Sequence, residues 1–430
     1  MLLIAIKKES YSLKLCLLFY FGVTVPLFAQ NDRPDAVENP ASSLMLEGKW
    51  VPDDPHNISF ANLPRIASEH AIISDVRDTK GVNQHCYLIH HNDRFWAMWS
   101  DGPSREDKTG QRVAWATSPD GLDWSEKRFI TPYPPTSGPD SPYYNTRSDK
   151  GFRYISRGFW KINGKLLALV SLDEAAGFFG PGLELQAFQW DETKQTWFDR
   201  GVIVDNAINN FPPKRLPDGE WAMSRRPYNY KKTGVWFLIG GTDAIDQWDS
   251  HRILGPDAPL AAEEPYWWEL PDGNLVALFR DNRKSGYLFR AFSTDNGRTW
   301  TKTVPTNFPD ARSKFNGVEL EDGRYVLVSN PNPEKRDPMT LSVTGKDRLV
   351  FRKMVYLVGG RWVDYPHIIR DGNHLLIAHT GNKEMIEVHK VRISDLDAIV
   401  MPDDPLVNQP VDEDPFPNQS SKVESGGKSQ

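Results

Sequence analysis

Six polar two-residue turns, set at nearly even intervals, constrain this chain more than any other feature. The first lies in residues 81–102, where the apolar run HCYLIHH meets Asn92-Asp93 and returns as RFWAMWSD. That is the pattern of a β-hairpin closed by a tight turn. Its counterparts are Asn163-Gly164, Asp218-Gly219, Asp272-Gly273, Asp322-Gly323 and Asp371-Gly372, which follow after 71, 55, 54, 50 and 49 residues. A period near fifty with four short strands per repeat predicts an all-β fold, a β-propeller of six or seven four-stranded blades. Residues 45–76 supply either a closing strand or part of a seventh blade, and pairing the two ends of the chain would remove exposed sheet edges.

After the hairpin strands A and B, each repeat continues with strand C, a turn and strand D. In the first repeat these are QRVAWATS, the turn SPDGLDW at 118–124, and EKRFITP. The copy at 293–300, STDNGRTW, fits the Asp-box form S-x-D-x-G-x-T-W, in which Asp and Gly close the turn and Trp packs into the blade. Eroded copies stand at 191–197, 242–248 and near 342–351. An Asp box is structural and carries no information about catalysis.

The chain has 51 basic and 57 acidic residues in no long blocks, for a net charge of -6, so a nucleic-acid partner is not expected. Its 15 Trp and 14 Tyr are expected to fill the wedges between blades, with those at strand ends available to stack on sugars. Lys7, Lys8 and Lys14 precede the apolar run LCLLFYFGVTVPLFA, so residues 1–29 read as a secretory signal and the protein as secreted or periplasmic, an uncleaved anchor being the alternative. No membrane span is expected in the mature chain, which is expected to be a monomer. Residues 30–44 and 402–430 are polar and aperiodic and read as disordered, leaving one domain at 45–401. With Cys16 in the signal, Cys86 stands alone, and packing and strand ladders must hold the fold.

In an antiparallel hairpin the start of A and the end of B lie at one end of the blade, so one propeller face collects both. The residues found there are Asn83, Gln84 and His85 with Asp101; Tyr154 and Arg157 with Asp173 and Glu174; and Asn209 and Asn210 with Arg225 and Arg226. The later repeats give Glu263, Glu264 and Tyr266 with Arg280 and Asp281; Lys314 and Asn316 with Asn330 and Asn332; and Asp364, Tyr365 and His367 with His379. A purely structural ring does not need so many ionisable groups, although any one of them would serve as a surface ion pair. Arginine forks pair a carboxylate bidentately while His, Tyr or Glu moves protons, so an acidic oligo- or polysaccharide is the expected ligand. Gln84, Asp101, Arg157, Arg225, Arg226, Arg280, Asn316, Tyr365 and His367 are the candidate sugar-binding residues, and His85, Tyr154, Tyr266 and Glu264 the candidate catalytic ones. His85 and His91 lie roughly 20 Å apart along one strand face at about 3.3 Å per residue and cannot share a metal. His90 and His91 read as turn-flanking residues. No metal or other cofactor is expected.

The Asp box, the blade spacing and the polar face make residues from about 45 to 400 resemble the sialidase-superfamily propellers. Exo-sialidases carry Arg-Ile-Pro on the first A strand, an Asp, a Glu, two further arginines and a late tyrosine. Glu264, Arg280, Arg336 and Tyr365 follow that order, but Val82-Asn83-Gln84-His85 stands where Arg-Ile-Pro should be, and Pro64-Arg65-Ile66 comes too early. The segments GVNQHCYLIHHNDRFWAMWSDGP, GQRVAWATSPDG, RYISRGFW, DNAINNFPP and AEEPYWWELPDGNLVALFRDN are similar to the ulvan-lyase-like and rhamnose–glucuronate-cleaving propellers. That resemblance implies cleavage of a rhamnose–uronate linkage, with His85 moving a proton, Tyr154 or Tyr266 as its partner, and Arg157, Arg225 and Arg280 holding the carboxylate. Elimination needs a base, an acid and a neutralised carboxylate; hydrolysis would draw on Asp101, Asp173, Glu263 or Glu264. An exo-α-sialidase with Glu264 and Tyr365 as a nucleophile pair, and a glycan-binding propeller without turnover, are the alternatives.

Overall fold

The tight turns adopt the backbone their chemistry favours. Asn92 and Asp93 both have positive φ (48° and 56°), as do Asn163 and Gly164 (49° and 73°), the left-handed pair that a two-residue hairpin loop requires. The computed structural model describes residues 43–106, 108–139, 151–174, 179–255, 257–258 and 260–407. The expected signal at 1–29, most of the segment 30–44 and the tail beyond 407 lie outside them.

Among the described residues the strands form six four-stranded antiparallel sheets, the blades of a propeller. Blade 1 comprises Val82–His91, Arg94–Gly102, Arg112–Ser118 and Arg128–Phe129. Blade 2 runs from Phe152–Ile162 to Thr196–Asp205, blade 3 from Lys214–Arg215 to Trp248–Leu254, blade 4 from Ala262–Glu269 to Val304–Pro309, and blade 5 from Asn316–Glu319 to Phe351–Val358. Blade 6 takes its first three strands from Val363–Asp371, His374–Gly381 and Met385–Arg392, and its outermost from Glu69–Asp75, which pairs Glu69 with Lys390 and Asp75 with Met385. The early segment is thus the closing strand and not part of a seventh blade. Ring closure leaves the last sheet without a missing strand.

Before it reaches blade 6, the chain straps the outside of blade 5. Leu46 and Arg65 form parallel bridges to Phe351 and Tyr356, and the Asn307 side chain accepts from the Met45 and Leu46 amides. Residues 402–407 belong to this strap, which corrects their placement in the disordered tail. The Leu406 amide donates to the Trp50 carbonyl at 2.8 Å, and Ile58 bridges to Val407. Composition hid this, because six polar-flanked residues gain order only from the partner strand they meet.

The apolar residues bury between blades rather than around one centre. Six core clusters are present among the described residues, one at each interface between neighbouring blades. Between blades 1 and 2, Trp96 stacks on Trp115 at 5.0 Å and meets Trp190 edge-on at 5.0 Å, so these tryptophans are wedge fillers. Asp-box turns join third to fourth strands: Asp120 accepts from the Leu122 and Asp123 amides, and Trp124 and Trp300 donate to the carbonyls of Gly121 and Gly297. Gly121 has φ 84°, and a Cβ there would lie 2.4 Å from Leu376, so only glycine fits the contact with blade 6.

The closing strand is latched by ionisable groups. His70 meets Glu387 at 2.8 Å, Arg361 grips both oxygens of the same carboxylate at 2.6 Å, and the buried His389 stacks on His379 at 5.2 Å. Burial lowers His379, and lowers His389 to about 2 with help from the nearby Arg361 charge. Both histidines are neutral in the fold, whereas in the unfolded chain they bind protons below about 6.5. Stability is therefore expected to fall on acidification from about pH 6.5, by up to roughly 1.4 kcal/mol per pH unit for each histidine. Urea midpoints between pH 7 and pH 4 measure this slope, and His389→Gln should flatten it; an equal slope in the variant would remove His389 as its source.

Candidate active site

Four first strands are irregular near their starts, and these irregularities build the site. The register slips between Gln84 and Tyr87, Ser156 and Gly158, Glu263 and Tyr266, and Asp364 and His367. In three of these bulges a residue other than glycine takes the left-handed conformation: His85 (φ 53°), Glu264 (φ 51°) and Tyr365 (φ 53°). Each such residue costs on the order of 1 kcal/mol, a strain that concentrates where side chains must be aimed. All three line one cavity of about 690 Å³ at the end of the propeller where A strands begin and B strands end.

Cations dominate its wall. Arg105, Arg153, Arg157, Arg226, Arg280, Lys80 and Lys383 face Glu106, Glu263, Glu264 and Glu384, with Gln84, His85, Asn210 and Tyr365 among them. Most of these charges are paired. Arg280 donates to Glu263 at 2.5 Å and forms an ion pair with Glu264 at 2.7 Å, and Arg226 lies 3.3 Å from Glu263. Asn210 closes the ring by donating to Glu264 and accepting from Arg226, both at 3.1 Å, and the Tyr230 hydroxyl donates to Glu263. Burial pushes the Glu264 carboxyl up, but Arg280 and Arg226, with Lys314 and Arg336, outweigh it and hold Glu264 below its ordinary range. Arg153 pairs with Asp173 at 3.0 Å, and Lys383 with Glu106.

Arg157 is the buried exception among the cations of the wall. It is 1% exposed, its Nε donates to Ser171 Oγ at 2.8 Å, one terminal nitrogen has no hydrogen-bond partner, and no carboxylate among the described residues pairs with it. Burial pulls its guanidinium down to about 10. His85 Nδ1 is likewise buried without a partner, and its ring lies 4.7 Å from that of Tyr365. Burial, then the charges of Arg157, Lys314 and Lys383, lower His85 well below its ordinary value. Burial also raises the Tyr365 phenol, reinforced by Glu106 and Glu264. At neutral pH the pair is therefore a neutral imidazole beside a protonated phenol, an available base beside an available acid.

The structure brings Gln84, His85, Arg157, Arg226, Glu264, Arg280 and Tyr365 together and leaves the other candidates outside. Tyr154 packs edge-on against Phe188 in the wedge between blades 1 and 2, and Tyr266 is in the core with its hydroxyl on the Gly317 carbonyl at 2.5 Å. Asp101 pairs with Lys127 at 2.6 Å. Arg225 donates to the Asn206 carbonyl, Asn316 accepts from the Ile368 amide, and His367 Nδ1 accepts from the Leu88 amide. Arg336 is held by Asp364 at 2.8 Å and the Arg312 carbonyl, and Arg65 lies over Tyr356 on the outer edge of blade 5. His91 bonds Glu192 at 2.9 Å beside its turn. The reading missed Arg105, Glu106, Arg153, Phe179 and Lys383. Arg105, Glu106, Phe179 and Lys383 sit just past the ends of B strands, so extending the search a few residues into those loops would have found them. Among the described residues no group of three or more His, Cys, Asp or Glu could hold a metal ion.

Residues 187–377 match the BNR repeat-like domain. No curated protein matches the chain in sequence. The fold is similar to that of a sialidase, with TM-score 0.57 and 18% identity over 82% of this chain and 35% of the sialidase, so the chain spans about a third of that protein. It is also similar to the leech intramolecular trans-sialidase complexed with 2,7-anhydro-Neu5Ac (TM-score 0.60, 13% identity, 77% of this chain and 71% of that one). The Ruminococcus gnavus intramolecular trans-sialidase in complex with oseltamivir carboxylate gives TM-score 0.59 and 13% identity over 77% of this chain and 99% of that one. By fold, the chain is a six-bladed β-propeller similar to those of the sialidases, and the stretch that matches the BNR repeat-like domain lies across its middle.

Proposed function

We propose that the protein is a carbohydrate-active enzyme that holds the carboxylate of an acidic glycan at Arg157 and cleaves the adjoining glycosidic bond by β-elimination, with His85 as base and Tyr365 as acid. The observation that carries this reading is the buried Arg157, a guanidinium in the wall of the cavity without a carboxylate partner among the described residues. A charge left this way is costly unless something pairs with it, and a uronate carboxylate is its geometric match. From the sequence resemblance, the linkage is one between rhamnose and glucuronate.

In this chemistry Arg157 neutralises the carboxylate, so charge can build on it as the neighbouring C–H bond breaks. Neutral His85 takes that proton. The C–H electron pair becomes the new carbon–carbon double bond, the bond to the leaving oxygen breaks, and Tyr365 protonates that oxygen. The proton on His85 then restores the phenol, and no net charge is left in the cavity. Arg226, Arg280 and Asn210 fix Glu264 at the cavity wall and limit what the sugar ring can do there.

A second reading is supported by a separate observation: Glu264 and Tyr365 share the cavity, and two similar structures hold ligands named as an anhydro-Neu5Ac and a carboxylate. There Tyr365 would attack as a nucleophile with Glu264 as its base. Incubation with a rhamnose–glucuronate oligosaccharide distinguishes the two. Elimination releases sugar together with the ultraviolet absorbance of a conjugated unsaturated uronate, whereas sugar without absorbance, or turnover of a sialoside alone, replaces it with hydrolysis. Tight binding with no product would make the chain a glycan-binding propeller.

A further inference from the structure

Trp362 adjoins the wall of this cavity through the chain that carries Asn382, and the proposed chemistry does not use it. It immediately precedes the first strand of blade 6, Val363–Asp371, and its carbonyl accepts at 3.0 Å from the amide of Asn382, a residue of the cavity wall. It is 45% exposed, whereas Trp50, Trp99 and Trp160 are at most 1% exposed. An indole left open among so many buried ones has a local cause.

Its polar atom points away from solvent. Nε1 donates at 2.8 Å to Asp364, a fully buried carboxylate that Arg336 also holds at 2.8 Å, and the Arg336 guanidinium lies 5.2 Å from the indole ring. The ring is therefore fixed by a hydrogen bond at its edge and by the guanidinium over one face, while nearly half of the residue remains exposed. A rigid aromatic surface of this kind, beside a polar cationic pocket, suits the C–H face of a pyranose, which has no charge to pair but gains by leaving water.

We propose that Trp362 is the platform of an outer subsite, on which a pyranose unit stacks beyond the one whose carboxylate reaches Arg157. The enzyme then recognises an oligosaccharide rather than a single acidic sugar. This inference rests on the function proposed above.

The test is a calorimetric titration of the His85→Ala protein, which binds without consuming ligand, with a rhamnose–glucuronate disaccharide and tetrasaccharide. The tetrasaccharide is expected to bind more tightly. Adding Trp362→Ala should weaken the tetrasaccharide roughly three- to tenfold and leave the disaccharide unchanged, while Trp362→Phe, which keeps a ring but loses the bond to Asp364, should retain most of the difference. If Trp362→Ala binds both lengths like its parent, the platform is wrong while the function reading stands. If Trp362→Ala and Trp362→Phe weaken both lengths equally, Trp362 is a structural support of Asp364 and the inference fails. If the His85→Ala protein binds neither length, the function reading and the platform fall together.

Discussion

Arg157→Met is expected to cost roughly a hundredfold or more in kcat/KM on an acidic glycan and yet to raise the melting temperature by a few degrees. The two effects have one cause. The guanidinium is 1% exposed, bonds Ser171 Oγ alone among the described residues at 2.8 Å, and is drawn from 12.5 to about 10 by burial, a penalty of about 3 kcal/mol in the unliganded fold. Methionine has a similar reach, carries no charge and adapts to irregular space, so the fold keeps its packing and sheds most of that penalty. A bound carboxylate offsets the same penalty in the native protein, which is why a site built for an anion is unstable when empty. Steady-state kinetics and a thermal melt decide the matter. Lost activity with a lowered melting temperature would make Arg157 a structural residue, and retained activity would place the carboxylate elsewhere.

Much of the architecture was legible because its signals are local. An Asn92-Asp93 pair or an Asp272-Gly273 pair carries its turn chemistry within two residues, and the Asp box at 293–300 carries its own within eight. The site was legible only up to the first bulge in each strand. Strict alternation puts Glu264 and Tyr266, or Tyr365 and His367, on one face. The inserted residue in each bulge separates them: Glu264 and Tyr365 line the cavity, while Tyr266 bonds the Gly317 carbonyl and His367 the Leu88 amide. Nothing in Glu263-Glu264-Pro265 or Asp364-Tyr365-Pro366 announces a bulge to a pattern of apolar and polar residues. Other parts of the site depend on closure of the ring. Lys383 pairs with Glu106, 277 positions away, and that neighbour is set by blade 6 meeting blade 1.

Arg280→Met is expected to act in the opposite sense to Arg157→Met. Arg280 is buried and pairs with Glu263 at 2.5 Å and with Glu264 at 2.7 Å; burial alone would lower its own value, but the two carboxylates reverse that and raise it. Removing it strands two buried carboxylates, for which Arg226, at 3.3 Å from Glu263, and Asn210 compensate only in part, so about 3–5 kcal/mol of stability should be lost. The pH dependence identifies the cause. Without Arg280, burial pushes Glu264 up, the folded variant binds a proton more readily than the unfolded chain does, and the deficit relative to the native protein should shrink as pH falls from 7 towards 5. Urea unfolding at both pH values measures this, and Glu264→Gln added to Arg280→Met should recover part of the loss at pH 7 and remove part of the pH dependence. A deficit that stays constant with pH would mean that the variant fails through packing rather than charge. In that case Glu264 is not held ionised by Arg280, and its place as the anionic wall of the site would have to be given up.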